Sequence, residues 1–271
     1  MKSLVKMMLG AAVLTASGLL AAQETTFNTA ADWFKNSELS EADGILTVKK
    51  KTALFSKKRF DIDPSKRIKV KLSARIQNAE NEKDRSLVFF GFNVFDQKGR
   101  RIASSNSRAA AGTLTEVAED AAKGATVLKV KDASKFKIKY MVIAAGAQED
   151  LSDLPNYNII GSPKKIAQNG DVWEITLVKP LARDVKAGTA VREHFDGGFL
   201  YTGGIKQIGK EWTAMSGAIT GVRKGTWQGN VWPAGAAKVQ LIILVNYGSK
   251  PLETQIKDIS MTVEDAAQKA E

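Results

Sequence analysis

The chain has 271 residues, with 40 lysines and arginines against 29 acidic residues, a net charge of +11, no cysteine and one histidine. Without cysteine the fold holds without disulfides, and a zinc site of closely spaced Cys and His is excluded. One histidine and the lack of a Gly-x-Ser-x-Gly elbow leave little material for nucleophilic catalysis.

The first residues read as a secretory leader. Lys2 and Lys6 form a basic start, Met7 to Leu20 a short apolar core, and Ala21-Ala22 a cleavage site before Gln23. Gly10, Thr15, Ser17 and Gly18 break the core, which is too short for a comfortable membrane span. The expectation is an exported protein, periplasmic or extracellular, with a net charge of +9 once Lys2 and Lys6 are removed. An exported basic protein meets anionic glycans, envelope polymers or lipid headgroups rather than nucleic acid.

Asp32-Trp33-Phe34 places aromatic bulk near the start, which predicts that this end packs down. Ile45 to Val48 reads as a short strand, and Asp63-Pro64-Ser65 as a turn set by the fixed φ of proline. In the next run Ile68, Val70, Leu72, Ala74 and Ile76 alternate with Lys69, Lys71, Ser73 and Arg75. That period of two predicts a strand with one wet face. Ser86 to Phe95 is apolar on both faces, the pattern of a strand covered front and back. Asp96 to Gly99 then turns, and Ala103 to Gly112 is a small, polar connection.

Residues 113–196 read as a separate unit of short strands. Gly124 to Phe136 holds a strand and a tight turn, Tyr140 to Ala144 is another strand, and Trp173, Ile175 and Leu177 alternate. Pro180 to Gly188 turns into a strand at Thr189 to Glu193. The first pattern resumes at Gly197. Lys210 to Ile219 predicts a strand with Trp212 in the core, Lys238 to Asn246 a second doubly buried strand, and Asp258 to Val263 a closing strand.

The strand pair between Phe60 and Ile102 resembles the middle of the carbohydrate-binding, galactose-binding-like jelly rolls found beside glycan-degrading enzymes. Lys210 to Ile219 and Asp258 to Val263 resemble late strands of that family. The resemblance covers roughly 60–112 and 197–265. GATVLKVKDASKF and KAGTAVREH resemble small β-rich inserts built from clipped hairpins. Together these imply an all-β protein, a jelly-roll β-sandwich interrupted by a small β-rich insert domain. The boundaries are 1–22 for the leader, 23–112 and 197–265 for the sandwich, 113–196 for the insert and 266–271 for a tail.

The resemblance implies glycan or cell-envelope polysaccharide as partner, no cofactor and, at most, a structural calcium at Asp258, where the family carries an acidic residue. The best binding material is the glycine-rich loop Gly225 to Pro233. Trp227 would stack on a sugar ring, Gln228 and Asn230 would read hydroxyls, and Trp232 would either stack or cap the core. Tyr201 and Arg108 are further ligand candidates. Two alternatives stand beside this non-catalytic reading. One is an enzyme on acidic polysaccharide, using Arg192, His194 and Tyr201 as a lyase or a carboxylate pair such as Glu174 and Glu211. The other is a structural or assembly protein of the cell surface.

Overall fold

The computed structural model describes residues 23–34, 37–203, 206–226, 228–247 and 252–266. The leader, residues 267–271 of the tail and Trp227 therefore lie outside the described residues. The protein is nearly all β, with 48% strand against 3% helix, and its strands form several antiparallel sheets arranged as a sandwich. No described helix is long and apolar enough to cross a membrane.

One face of the sandwich is a six-stranded sheet. Its order is Thr213–Ile219, Arg67–Ile76, Thr254–Glu264, Ile45–Val48 and Leu39–Ala42, with Gln23–Thr26 also paired to Thr254–Glu264. The other is a seven-stranded sheet built on Leu200–Tyr201, Ser86–Phe95, Lys238–Val245 and Thr52–Phe55, with three short strands added.

The alternation in Arg67–Ile76 does what its period requires. Ile68, Val70, Leu72, Ala74 and Ile76 are all but fully buried, while Lys69, Lys71, Ser73 and Arg75 take the outer face. Opposite them, Phe90 pairs with Ile243 and Phe92 with Leu241, and all four sit in the core at 0% exposure. Ser86–Phe95 and Lys238–Val245 are apolar on both faces because both faces are covered. Ile242 and Leu244, which point away from the main core, are still at 0% and 3% exposure. At the start of the described chain Trp33 is fully buried, its indole N–H donating to the Phe27 carbonyl at 3.2 Å, while Phe34 stays exposed.

Residues 113–196 carry a core of their own. Leu128, Val130, Ile143, Ile175, Leu177 and Val191 pack together between two small sheets and share no member with the sandwich core. The chain leaves and rejoins the sandwich at one place. Phe195 N–H donates to Arg108 O at 2.9 Å, Ala110 N–H to Glu193 O at 2.8 Å, and Ser104 N–H to Gly197 O at 3.0 Å. Incoming and outgoing segments thus run side by side, as an inserted unit requires.

Candidate functional site

A groove of about 480 Å³ lies on the outer face of the six-stranded sheet. Strand parity builds it. On Thr213–Ile219, Met215 and Ile219 point into the core, so Trp212, Ala214, Ser216 and Ala218 must point outward. Register sets Ala214 beside Ser73, and Ser216 beside Lys71, which faces Ser260 across the next pair. Small side chains therefore floor the groove, and the long lysine stands among them. On its far side Thr254–Glu264 carries a bulge: Lys257 faces Ser73 and Ser260 faces Lys71, so Asp258 and Ile259 oppose one residue. Asp258 takes the left-handed region at φ 55°, turning its carboxylate outward while Ile259 fills the core.

Trp212 lies two residues along the strand from Ala214, on the same outward face, just beyond the residues that line the groove. Its ring is half-exposed, with the Arg75 guanidinium and the Lys257 ammonium each 4.7 Å from its centre. The expectation that Trp212 belongs to the core is therefore corrected: it lies on the outer face, one position out of phase with Met215. Cation contacts of this kind hold an aromatic ring in a fixed orientation at a wet surface.

The Lys257 ammonium lies 3.8 Å from the Asp258 carboxylate. No cluster of three acidic or histidine side chains suited to a metal occurs among the described residues.

Tyr201 lies on the opposite outer face. There Phe55, Phe199, Tyr201, Phe89 and Tyr247 form a continuous row, with successive ring centres 6.0, 6.2, 5.5 and 5.9 Å apart. The row spans strands far apart in sequence, on the same side of the sheet as Ile242 and Leu244. Lys51 stands 4.5 Å over Tyr247 at one end, and Arg101 4.9 Å over Phe199 near the other. Successive rings are tilted by 48° to 73°, so they make a ridged surface rather than a flat one.

In the Gly225–Pro233 loop the described residues divide. Gln228 and Asn230 are exposed, and the Gln228 carbonyl accepts the Lys224 N–H at 3.1 Å. Trp232 is at 0% exposure, its ring 5.3 Å from that of Phe92. It is a core residue and cannot stack on a ligand; its chain is pulled inward because Trp232 N–H donates to Gly221 O and Arg223 N–H to Trp232 O, both at 2.8 Å. Arg108 lies at the junction of insert and sandwich, its guanidinium 4.3 Å from the Phe195 ring centre.

Of the residues read as a lyase set, Arg192 and His194 meet inside the junction, while Tyr201 lies apart from them. Arg192, Glu193 and His194 are at 3%, 0% and 0% exposure, inside the junction. Arg192 forms a buried ion pair with Asp153 at 2.8 Å and donates to Gln148 O, also at 2.8 Å. His194 Nδ1 meets the Ser105 carbonyl at 2.8 Å, which fixes the proton there and leaves Nε2 to accept from Arg192 at 3.3 Å. Burial pushes His194 down to about 4, and burial pushes Glu193 up to about 7. Such shifts often mark active sites. Here the groups are closed off from any substrate, while Tyr201 belongs to the aromatic row on the sandwich. Glu174 belongs to a strand of the insert and Glu211 to the sandwich beside Thr213.

No known protein family, characterised protein or solved structure matches this chain, so its function is read from its own residues.

Proposed function

We propose that this is an exported, non-catalytic protein that binds a glycan or cell-envelope polysaccharide. The observation that carries the reading is the groove on the six-stranded sheet. It is open, floored by small residues, and bordered by groups that suit a sugar. Trp212 offers an aromatic ring to the apolar face of a pyranose, Ser73 and Ser216 offer hydroxyls, and Lys71 and Asp258 offer charged partners for hydroxyl or carboxylate groups. Concave sites with a few convergent polar groups are where small ligands bind. The basic surface favours an acidic polysaccharide. The galactose-binding-like resemblance of the flanking strands points the same way, as an analogy of fold.

Trp227, in the Gly225–Pro233 segment, is the second place where a sugar would stack. Ser216→Trp fills the groove without touching the core, and Trp212→Ala removes its aromatic end. On a glycan array each should reduce binding about tenfold or more, the usual cost of losing an interface anchor. Trp227→Ala should leave groove binding intact. Loss of binding in Trp227→Ala alone moves the site to the loop.

One observation favours a different role. The row from Phe55 to Tyr247 is a continuous, partly exposed aromatic surface, and exposed apolar patches mark sites of protein contact. It fits the reading of a cell-surface assembly protein, which gains weight if the protein binds no glycan.

A further inference from the structure

A small cavity of about 170 Å³ lies where the insert meets the sandwich. Arg223 and Lys224 wall it from the sandwich, Asp150 and Leu154 from the insert, and Ser107 from the connecting segment. Its chemistry is out of balance. A guanidinium carries five N–H donors and stays charged in proteins. Arg223 gives one to the Ser107 carbonyl at 3.0 Å, its Nε is buried without an acceptor, and it forms no ion pair among the described residues. Burial and, after it, the charge of Arg108, the residue after Ser107, push Arg223 below the usual arginine range. A buried guanidinium donor left without an acceptor costs stability.

We propose that this cavity is an oxyanion site, taking a carboxylate, sulfate or phosphate group on Arg223, with Lys224 at the mouth and Arg108 adding charge. The planar fork of arginine suits two oxygens of such a group. Asp150 is the one acidic wall, and it opposes binding rather than assisting it. Because the walls come from both units, a bound anion would tie the insert to the sandwich. The site stands independently of the groove.

The test uses the full chain at low ionic strength. Sodium sulfate, sodium phosphate and a uronic-acid trisaccharide are titrated in turn, against sodium chloride at matched ionic strength, while the arginine Nε–H resonances are followed by NMR. The expected result is a saturable shift of the Arg223 Nε–H with sulfate or phosphate that chloride does not reproduce. Arg223→Lys should weaken it about tenfold, since a point charge replaces the fork. Asp150→Asn should tighten it, and Lys224→Gln weaken it, each about two- to fivefold. These two exposed positions carry the test if Arg223→Lys does not fold. Tighter binding of the trisaccharide than of sulfate identifies the anion as part of a glycan, and the reverse identifies a free ion. A shift that never saturates, or equal affinities in Asp150→Asn and Lys224→Gln, overturns the proposal.

Discussion

Replacing Glu193 by Gln should change how stability depends on pH, and in a direction fixed by its neighbour. Glu193 is fully buried, with the Lys137 N–H donating to its two oxygens at 2.9 and 3.1 Å. Burial, only partly offset by that bond and by the Lys137 charge, pushes it up to about 7 from 4.5. Its folded value is raised, so its contribution is complete below pH 4.5 and is lost as pH rises to 7. His194 is shifted the other way, down to about 4 from 6.5, first by burial. Its contribution is complete above pH 6.5 and is lost as pH falls to 4. Between pH 4.5 and 6.5 the folded chain holds one extra proton on Glu193 and lacks one on His194, so the two slopes cancel. The parent should show a plateau there from this pair. Glu193→Gln removes one slope and leaves the other, so the variant's stability should climb between pH 4 and 6.5. Relative to the parent it should gain up to about 3 kcal/mol from pH 4.5 to 7, because a tenfold change in proton affinity is worth about 1.36 kcal/mol. Urea unfolding of both proteins at unit steps from pH 4 to 8 measures this, because the other carboxylates cancel in the difference. Parallel curves for parent and variant would refute the assignment of Glu193 as the raised acid.

Other outcomes follow from burial. Trp232→Ala should cost about 3–5 kcal/mol in urea, since it empties the space against Phe92, whereas Trp212→Ala should cost much less from its half-exposed face. Asp153→Ala strands the Arg192 charge inside the junction and should cost about 3–5 kcal/mol, with hydrogen exchange rising first in Ala190–Phe195. Tyr201→Ser should leave stability nearly unchanged; if the assembly reading holds, sedimentation will show a concentration-dependent oligomer in the parent that this variant loses.

The sandwich was legible where periodicity is local. The alternation of Ile68 to Ile76 named the buried side of its strand, and the two-faced runs at Ser86 and Lys238 named the strands that are covered on both sides. Trp212 shows the limit of that reading. The strand continuing from Thr213 to Ile219 suggested the core for it, yet Met215 and Ile219 set that strand's parity, and a one-residue offset sends a side chain to the opposite face. Attention to the small alternate residues Ala214, Ser216 and Ala218 would have found the groove. The aromatic row could not be read ahead, because Phe55, Phe89, Tyr201 and Tyr247 meet only through sheet pairing. Trp232 was ambiguous for a related reason: its burial depends on the loop folding back to Gly221. Arg108 and Arg223 stand far apart in sequence, and only the junction brings them near each other.

A glycan bound in the groove of the six-stranded sheet would perturb the residues that line it. The most direct measurement is a map of backbone amide shifts on adding an acidic oligosaccharide to the full chain. The largest saturable shifts are expected at Lys71, Ser73, Ala214, Ser216 and Asp258, with their loss in Ser216→Trp. Shifts confined to the 225–233 loop or to the Phe199–Tyr201 face, or no shift at any concentration, would contradict binding in the groove.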